Sequence, residues 1–414
     1  MWSRRRALAT DLPHWTTHPA VPVVLAAGLA VLVRVPRVGA LAYPDEGGAL
    51  LVVRQWQTEG PGLYGPLEVD RPPLLMAFWR VAAALGGVEQ ARWLVCPLVA
   101  TLVLGAGWAG WLIGDARGAR WSAITVASLA ASPLIGTWEV NAELVAAPLI
   151  MLSCALILLS LDRARHQESY RRWALLGGLI GSGAVLVKQN LLDSLVFAAV
   201  LLVASTARGT LARADAARLG GWLLAGVMLP QSAAATWVTV WGPGLGALWE
   251  ALYGFRSAAF QVVMTQSFAY PWERLQLLGL LSVGSGVVVL AGVYLGVQRR
   301  SGRRAEPLSI AVSAMLVFGL LSVGLGASYW GHYLIELIPA LGLAAGHLCL
   351  TSVSTRRWAA VTVWFVALSA VTANAVASTG TLVPSAKPTR PWSRGCARRP
   401  STPTRWWWPM GIPT

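Results

Sequence analysis

Apolar runs of roughly twenty residues follow one another along most of the chain, separated by short polar segments. Runs of this length can cross a bilayer as helices, and marking them predicts about eleven transmembrane helices. The approximate spans are 20–41, 91–114, 118–136, 141–161, 173–187, 190–206, 219–241, 275–297, 308–327, 333–350 and 357–378. The pattern therefore predicts an all-α, polytopic membrane helical bundle.

Arginines occupy every second loop between these spans. With the N-terminal arginines inside, the others fall on the same side, as the positive-inside tendency requires. They are Arg4, Arg5 and Arg6, then Arg117 and Arg120, Arg163, Arg165, Arg171 and Arg172, Arg208, Arg213 and Arg218, the segment "QRRSGRR", and Arg356 with Arg357. We therefore expect a multi-pass protein of the cell (plasma or inner) membrane. The net charge of +15 is dispersed among these loops, so we expect no nucleic-acid partner.

Composition completes this organisation. With 56% hydrophobic and 12% charged residues, the chain carries more apolar surface than a soluble domain of this length could bury. We expect a cytoplasmic N-terminus at 1–19, a transmembrane domain at 20–378 with a first external loop at 42–90, and a tail at 379–414. The tail is rich in Pro, Arg, Ser and Trp and has no acids, so we expect disorder, or an aberrant or truncated end.

The first external loop holds two candidate sites. In "YPDEGG", Asp45 and Glu46 either stabilise the first turn of a helix or present a carboxylate that acts as general base or binds a metal. Further on, "LEVDRPPLLMAFWRVAAAL" predicts an interfacial helix over 72–85, anchored by Phe78 and Trp79. Asp70 and Arg71 before it either pair with each other or leave Arg71 for a phosphate.

Three short turns on the same outer side carry further ionisable residues. "TWEVNAELVAAPL" places Glu139 and Glu143 four apart, on one face of a helix start. Lys188 in "VLVKQNLLDSL" breaks an apolar region, so we expect a partner, either a carboxylate such as Asp193 or a ligand phosphate.

"ASYWGHYLIELIPALG" supplies the third turn. It places His332 and Glu336 four apart, beside the aromatic residue Tyr333, and Pro339 predicts a kink below them. Each of these turns could equally be an ordinary helix end, and aromatic residues are common at a membrane interface. Their common side is what favours a single site.

Taken together and in this order, these segments resemble a known pattern. It consists of a first span followed by Arg34 and Arg37, then "YPDEGGALL", "GPGLYGPLEVDRPPLL", "NAELVAAP", "KQN" and "GHYLIELIPALGLAAG". The pattern resembles the bacterial branch of the protein-O-mannosyltransferase and aminoarabinose-transferase type, membrane glycosyltransferases of the GT-C fold (glycosyltransferase family 39 and relatives).

The resemblance implies inverting transfer of a monosaccharide from a polyprenyl-phosphate donor to an acceptor hydroxyl on the outer face of the membrane. The acceptor is a glycan, a lipid or a protein, and membrane lipid is a further partner. Asp45 is then the candidate base and Glu46 its neighbour. Glu143, or alternatively Glu139, is an acid on the acceptor side. Lys188, His332, Tyr333 and Arg71 are the candidates for binding the donor phosphate.

Cofactor and class remain open at this stage. No motif for ATP binding is present, no particular cofactor is indicated, and a divalent metal ion is left open. The main alternative is a transporter or flippase for a polar or lipid-linked solute, in which acids and a lysine at mid-membrane would relay protons or bind the solute. A non-catalytic membrane scaffold would leave the clustering on one side unexplained.

Overall fold

The computed structural model describes residues 20–58, 62–65, 69–265, 269–300 and 306–379. The expectations for the N-terminal residues 1–19, for most of the tail and for part of "QRRSGRR" lie outside these residues. Contacts divide the chain into two units, Met1–Ala375 and Val376–Thr414. Of the second unit, only the end of the last helix and Thr379 are described.

All regular segments of three or more residues in the described part are helical. The α-helices are α1 (Ala20–Leu32), α2 (Pro44–Thr58), α3 (Pro73–Leu85), α4 (Val88–Ala130), α5 (Ala142–Arg165), α6 (Arg171–Val187), α7 (Asp193–Ala207), α8 (Arg213–Trp241), α9 (Leu245–Trp249), α10 (Phe255–Thr265), α11 (Ala269–Gly284), α12 (Val287–Arg300), α13 (Pro307–Leu325), α14 (Ile338–Leu348) and α15 (Val353–Ser378). Short 3-10 helices cover Val35–Arg37, Pro133–Ile135 and Gly331–Leu337, and a π-helical turn covers Glu250–Gly254. The all-α prediction is confirmed.

Six of the described helices are long and apolar enough to cross a membrane, and the pair α11–α12, bent by 68°, would make a seventh span. Two of the predicted spans, 91–114 and 118–136, correspond to the two parts of α4 on either side of a break in this 43-residue segment. Its direction breaks at Gly114 and Asp115, whose φ/ψ angles are not helical. The predicted number of eleven spans stays a prediction, because several segments at predicted spans are shorter than a bilayer requires.

The first loop contains the two helices expected there, α2 and α3. The proline pair precedes α3 as predicted, because Pro72 is its N-cap residue and Pro73 its first residue, where a missing N–H costs nothing. The expectation that Trp79 anchors this helix at an interface is wrong, since Trp79 is 2% exposed and packs into the core beside Phe78.

The centre of the first unit is formed by α14, all of whose residues are buried. Ser122 in α4 donates a hydrogen bond to the carbonyl of Gly342 at 2.8 Å. Pro339 lies in the first turn of α14 and begins it after the 3-10 segment Gly331–Leu337. The predicted kink within a continuous span is therefore replaced by a 3-10 helix that changes to an α-helix, and the 3-10 part carries His332 and Glu336.

Glycines allow α6 and α8 to cross closely. A Cβ added to Gly178 would collide with the carbonyl of Leu223, and one added to Gly226 with the carbonyl of Leu175. Small residues at such crossings let two backbones approach and gain packing energy. This contact fixes the end of α6, which is where Lys188 follows.

Candidate functional site

The ionisable residues predicted for the site, except Arg71, converge at one end of the helices, where four segments meet. These are the first turn of α2, the segment 137–141 before α5, the residue after α6, and the 3-10 helix Gly331–Leu337. Three contacts bring these segments together: Glu46 with Val140, Glu143 with Lys188, and Glu139 with His332.

Glu46 and Arg92 form the buried support of this region. The carboxylate of Glu46 accepts from Nε of Arg92 at 3.0 Å and from Nη2 at 2.6 Å, and both side chains are almost fully buried. It also accepts from the backbone N–H groups of Tyr43 and Val140, each at 2.9 Å. Both oxygens of Glu46 are thus occupied, which ties the start of α2 to the segment before α5.

Three arginines, from α4 and from the segment after α1, hold the neighbouring backbone segments 40–41 and 137–138 in place. Arg92 donates to the carbonyls of Ala40 at 2.6 Å and Leu41 at 2.9 Å. Arg34 donates to the carbonyl of Thr137, and the guanidinium of Arg37 lies 4.1 Å from the ring centroid of Trp138. Sequence reasoning missed Arg92, although a single arginine inside the apolar run "EQARWLVCPL" was a signal for a buried partner.

Asp45 differs from its neighbour, because its side chain is exposed and makes no hydrogen bond or ion pair within the described residues. It lies in the first turn of α2, where the helix dipole favours an ionised carboxylate. Its negative charge acts on His332. Asp45 is therefore a free carboxylate at the mouth of the cluster.

Glu143 and Lys188 form the second buried ion pair, with Nζ 2.5 Å from Oε1. Asn141 caps α5 by accepting from the N–H of Leu144 at 2.9 Å, which places Glu143 in the first turn of the helix. Lys188 follows the last residue of α6 in an extended conformation. The carboxylate partner expected for Lys188 is thus Glu143 rather than Asp193.

Glu139 lies before the N-cap residue of α5, so the prediction that it shares a helix face with Glu143 is wrong. It pairs instead with His332, whose Nδ1 is 3.2 Å from Oε1. Gly136 makes room for this pair: its φ is +66°, and an added Cβ would lie 2.8 Å from Oε1 of Glu139. A residue with a side chain is disfavoured there on both counts.

His332 is held between aromatic rings and carboxylates. Its ring stacks on Trp330 with 6.3 Å between centroids and meets Tyr333 edge-on at 5.1 Å. Burial alone would lower the pKa of His332, but the hydrogen bond to Glu139 and the charges of Glu143, Glu139 and Asp45 raise it above its usual value. The imidazolium form is therefore favoured.

Tyr333 links the two ion pairs, because Nζ of Lys188 also lies 4.4 Å from the centroid of its ring. The expected pairing of His332 with Glu336 is not observed. Residues four apart face each other on an α-helix, whereas a 3-10 helix aligns residues three apart. Glu336 instead accepts from the amide of Asn190 at 3.3 Å.

Arg71 lies in a separate charged group. It pairs with Asp70 at 2.6 Å, as one of the two sequence interpretations held, and Arg256 approaches the same carboxylate at 2.7 Å. No contact of Arg71 with Lys188 or His332 occurs among the described residues. Two guanidinium groups on one carboxylate leave a net positive charge, and Arg256 was not foreseen from the sequence.

Two further acids are buried in the bundle. Asp193 is fully buried, and neither of its carboxylate oxygens has a hydrogen-bond partner in the described part of the chain. Glu336 is 2% exposed and feels the charge of Asp193 as well as those of Lys188 and Glu143. Two carboxylates buried close together repel each other when both are ionised, so this pair is electrostatically costly.

A metal ion, which the sequence left open, finds no ready-made centre in these side chains. Within the residues described, no group of three or more His, Cys, Asp or Glu side chains is placed to hold one. Glu139, Glu143 and Glu46 already pair with His332, Lys188 and Arg92.

Comparison with known proteins identifies the fold. The chain is similar to the oligosaccharyltransferase of Archaeoglobus fulgidus in its apo form, with a TM-score of 0.58 and 12% identity over 87% of this chain and 57% of that one. A structure of the same protein with zinc and sulfate gives a TM-score of 0.55 and 13% identity over 86% and 53%. ArnT from Cupriavidus metallidurans bound to undecaprenyl phosphate gives 0.53 and 17% identity over 82% and 62%.

These likenesses extend over most of this chain but less than two thirds of the solved structures. No protein-family model and no curated protein matches the sequence. At this level of identity the likeness shows the fold, which is the GT-C fold of membrane glycosyltransferases. The fold expected from the sequence motifs is confirmed.

Proposed function

We propose that this chain, which has the GT-C fold, transfers a monosaccharide from a polyprenyl-phosphate donor to an acceptor hydroxyl, with inversion at the anomeric carbon. The observation that carries the proposal is the grouping of a free carboxylate, Asp45, with two cationic side chains, Lys188 and His332, at one end of the bundle. The arginine-rich loops lie at the other helix ends. By the positive-inside tendency the site then faces the outside and the N-terminus faces the cytoplasm.

Lys188 and His332 supply the positive charge for the donor phosphate. A phosphate on a lipid carrier is already a good leaving group, so the enzyme needs only to stabilise the negative charge that grows as it departs. Lys188 is flexible enough to move from Glu143 toward a phosphate, and Tyr333 supports it from the side. The raised pKa of His332 favours the positively charged form of its ring more than in an ordinary histidine.

Asp45 serves as the base. It takes the proton of the acceptor hydroxyl, and the acceptor oxygen forms a bond to the anomeric carbon. On the opposite face of the sugar the bond to the phosphate oxygen breaks, and polyprenyl phosphate leaves with the electron pair. Because Asp45 has no partner among the described residues, its oxygens are accessible for this step.

The remaining acids take supporting roles in this proposal. Glu46 holds Asp45 in place through Arg92 and the backbone, rather than touching the acceptor. Glu143, 2% exposed, positions Lys188. Glu139 is the more accessible of the two acids proposed for the acceptor side, since its side chain is 18% exposed.

Arg71 lies apart from Lys188 and His332 in the structure. Arg71 can bind a phosphate only together with Arg256. The two guanidinium groups share the single carboxylate of Asp70, so the group has a net charge of one positive unit. Gln189 next to Lys188 donates to the carbonyl of Leu252 at 3.1 Å. Arg256 follows Leu252 by four residues, about one helical turn. Through Gln189 and Leu252, Lys188 therefore lies near the segment that carries Arg256.

The transporter alternative requires its charged residues near mid-membrane. Glu143 lies in the first turn of α5, Lys188 directly after α6, and His332 before α14, so all three lie at helix ends. Asp193 is the first residue of α7 and Glu336 lies in the same 3-10 helix as His332, so these two buried acids are also near helix ends. The positions of the ion pairs therefore favour chemistry at the membrane surface over passage through the bilayer.

The decisive experiment uses the full chain in lipid nanodiscs with a panel of polyprenyl-phosphate sugars and a cell-envelope extract as acceptor source. We expect release of polyprenyl phosphate together with a new glycoside of inverted configuration, identified by mass spectrometry. In a parallel assay the chain is placed in sealed vesicles. Movement of the intact donor across those vesicles without its cleavage would favour the flippase alternative instead.

A further inference from the structure

A cavity of about 480 Å³ lies at the arginine-rich end of the bundle, opposite the candidate site. Its walls come from α4, α5, α7 and α13, and most of them are aliphatic. The aliphatic lining includes Leu158 and Leu201, and the polar part is formed by Asp162, Arg165, Thr210 and Glu306. The volume falls in the range of small-molecule binding sites.

The cavity and the candidate site occupy the two ends of the same helix. Asp162 follows Glu143 by nineteen residues within α5, which corresponds to about 28 Å at 1.5 Å per residue. That separation is close to the roughly 30 Å thickness of a bilayer's hydrocarbon core. The cavity therefore lies at the height of the other leaflet, with its aliphatic part toward the membrane interior and its polar part at the helix ends.

Charge at the polar part is unevenly compensated. The two acids each face a histidine: Asp162 is 3.5 Å from His166, and Glu306 is 3.4 Å from the buried His347. Arg165 donates only to hydroxyl groups, those of Ser205 at 3.3 Å and Thr210 at 3.1 Å. Within the described residues no carboxylate lies within ion-pair distance of Arg165, and its Nη1 and Nε donate no hydrogen bond.

We propose that this cavity binds a glycerophospholipid with a primary ammonium head group, such as phosphatidylethanolamine. Arg165 holds the phosphate, and an acyl chain lies along Leu158 and Leu201. A guanidinium with free N–H donors matches two phosphate oxygens, and the carboxylate of Asp162 can accept from the ammonium. A polyprenyl phosphate fits less well, because it has no ammonium group for Asp162 to accept from and its phosphate monoester carries nearly two negative charges.

The test is made with the full chain, purified and stripped of lipid, without any sugar donor. It is incubated with equimolar phosphatidylethanolamine, phosphatidylglycerol and polyprenyl phosphate, and the retained lipid is identified by native mass spectrometry. We expect one phosphatidylethanolamine per chain. Arg165→Gln should weaken its retention about tenfold, as expected for one charge-assisted contact. Leu158→Trp, which fills the cavity, should weaken it as well.

Arg218→Gln is the matched control, because Arg218 is an exposed arginine at the same end and pairs only weakly with Asp215, at 3.5 Å. It should leave retention unchanged. Equal retention by the wild type and Arg165→Gln, or a preference for phosphatidylglycerol or polyprenyl phosphate, overturns the proposal. If Arg165→Gln does not fold, a photoreactive phosphatidylethanolamine is cross-linked to the wild type. Adducts on peptides containing Leu158 or Leu201 support the site, and adducts only elsewhere contradict it.

Discussion

Nζ of Lys188 lies 2.5 Å from Oε1 of Glu143, deep enough that neither side chain is appreciably exposed. The two residues are 45 positions apart, one at the end of α6 and the other at the start of α5. A buried pair of this kind stabilises the fold only as a unit, because either charge left alone is expensive to bury. The pair also holds the ammonium of Lys188 next to His332 and Tyr333, where a donor phosphate can compete with Glu143 for it.

Lys188→Met is expected to damage both the fold and donor binding. Loss of the ammonium leaves Glu143 buried and unpaired, which should cost about 3–5 kcal/mol of unfolding free energy. Affinity for polyprenyl phosphate should fall about 10- to 100-fold. The double variant Glu143→Gln/Lys188→Met separates the two effects. Its thermal stability should largely recover, while lipid binding measured by native mass spectrometry stays weak. Recovery of both would give Lys188 a purely structural role.

Asp45→Asn is expected to abolish most of the transfer while leaving the protein folded. Removing a general base typically lowers the rate about 10²- to 10⁴-fold. Donor affinity and melting temperature should change little, because Asp45 is exposed and unpaired in the described part of the chain. Glu89→Gln, an exposed acid in the first turn of α4, is the matched control and should retain full activity. Full transfer by Asp45→Asn would remove it as the base.

Glu46→Gln is expected to behave differently from its neighbour, by lowering stability. The substitution leaves Arg92 without its buried carboxylate and should cost about 3 kcal/mol or more. The matched control is Glu168→Gln, which breaks the exposed pair with Arg163 at 3.5 Å and should cost about 1 kcal/mol or less. Denaturant or thermal unfolding in detergent measures both. A Glu46→Gln variant of unchanged stability but without activity would assign Glu46 to the chemistry.

The helices themselves were largely accessible to sequence reasoning, and local rules explain why. Proline pairs and caps act within a few residues, so the start of α3 at Pro73 and the acids in the first turn of α2 followed from the sequence. The common side of the polar turns followed from the alternation of arginine-rich loops. Neither inference depends on how the helices pack against each other.

The ion pairs between residues far apart in the sequence could not be predicted, because they depend on that packing. The expected partner of Lys188 was its close neighbour Asp193, but α7 begins at Asp193 and takes it into the bundle. The expected pairing of His332 with Glu336 assumed an α-helix where the chain forms a 3-10 helix. Trp79 was assigned to the interface from its residue type alone, and it is buried because α3 packs on the core.

Phosphate binding should depend on pH through His332. Its pKa is raised, so the ring holds its proton at pH values where an ordinary histidine has lost it. The groups that face it are Glu139, Glu143 and Asp45, with Trp330 and Tyr333 as neutral neighbours. Binding is therefore expected to be strong below the raised pKa and to weaken as pH rises through it.

The contribution of the Glu139–His332 pair to folding stability depends on pH in the same direction as phosphate binding does. It is present in full below the pKa of an unfolded histidine, about 6.5, and is lost as pH rises through the raised folded value. His332→Gln should remove the pH dependence of binding that belongs to the ring, leaving only that of the lipid phosphate. Titration of polyprenyl phosphate binding by tryptophan fluorescence from pH 5 to 9 compares the two proteins. Identical curves would show that His332 does not face the phosphate.

Asp193→Asn is expected to leave the protein as stable as the wild type or more stable, which is unusual for a fully buried position. Both oxygens of Asp193 lack a partner within the described residues, and Glu336 adds a second buried acid nearby. The amide is close in shape to a protonated carboxyl group and removes any cost of ionising it in the interior. Asp215→Asn, at a half-buried acid paired with Arg218, is the control and should change stability by about 1 kcal/mol or less. A loss of several kcal/mol in Asp193→Asn would mean that the carboxylate is ionised and held by a cation, and a search for that cation by elemental analysis of the purified protein would follow.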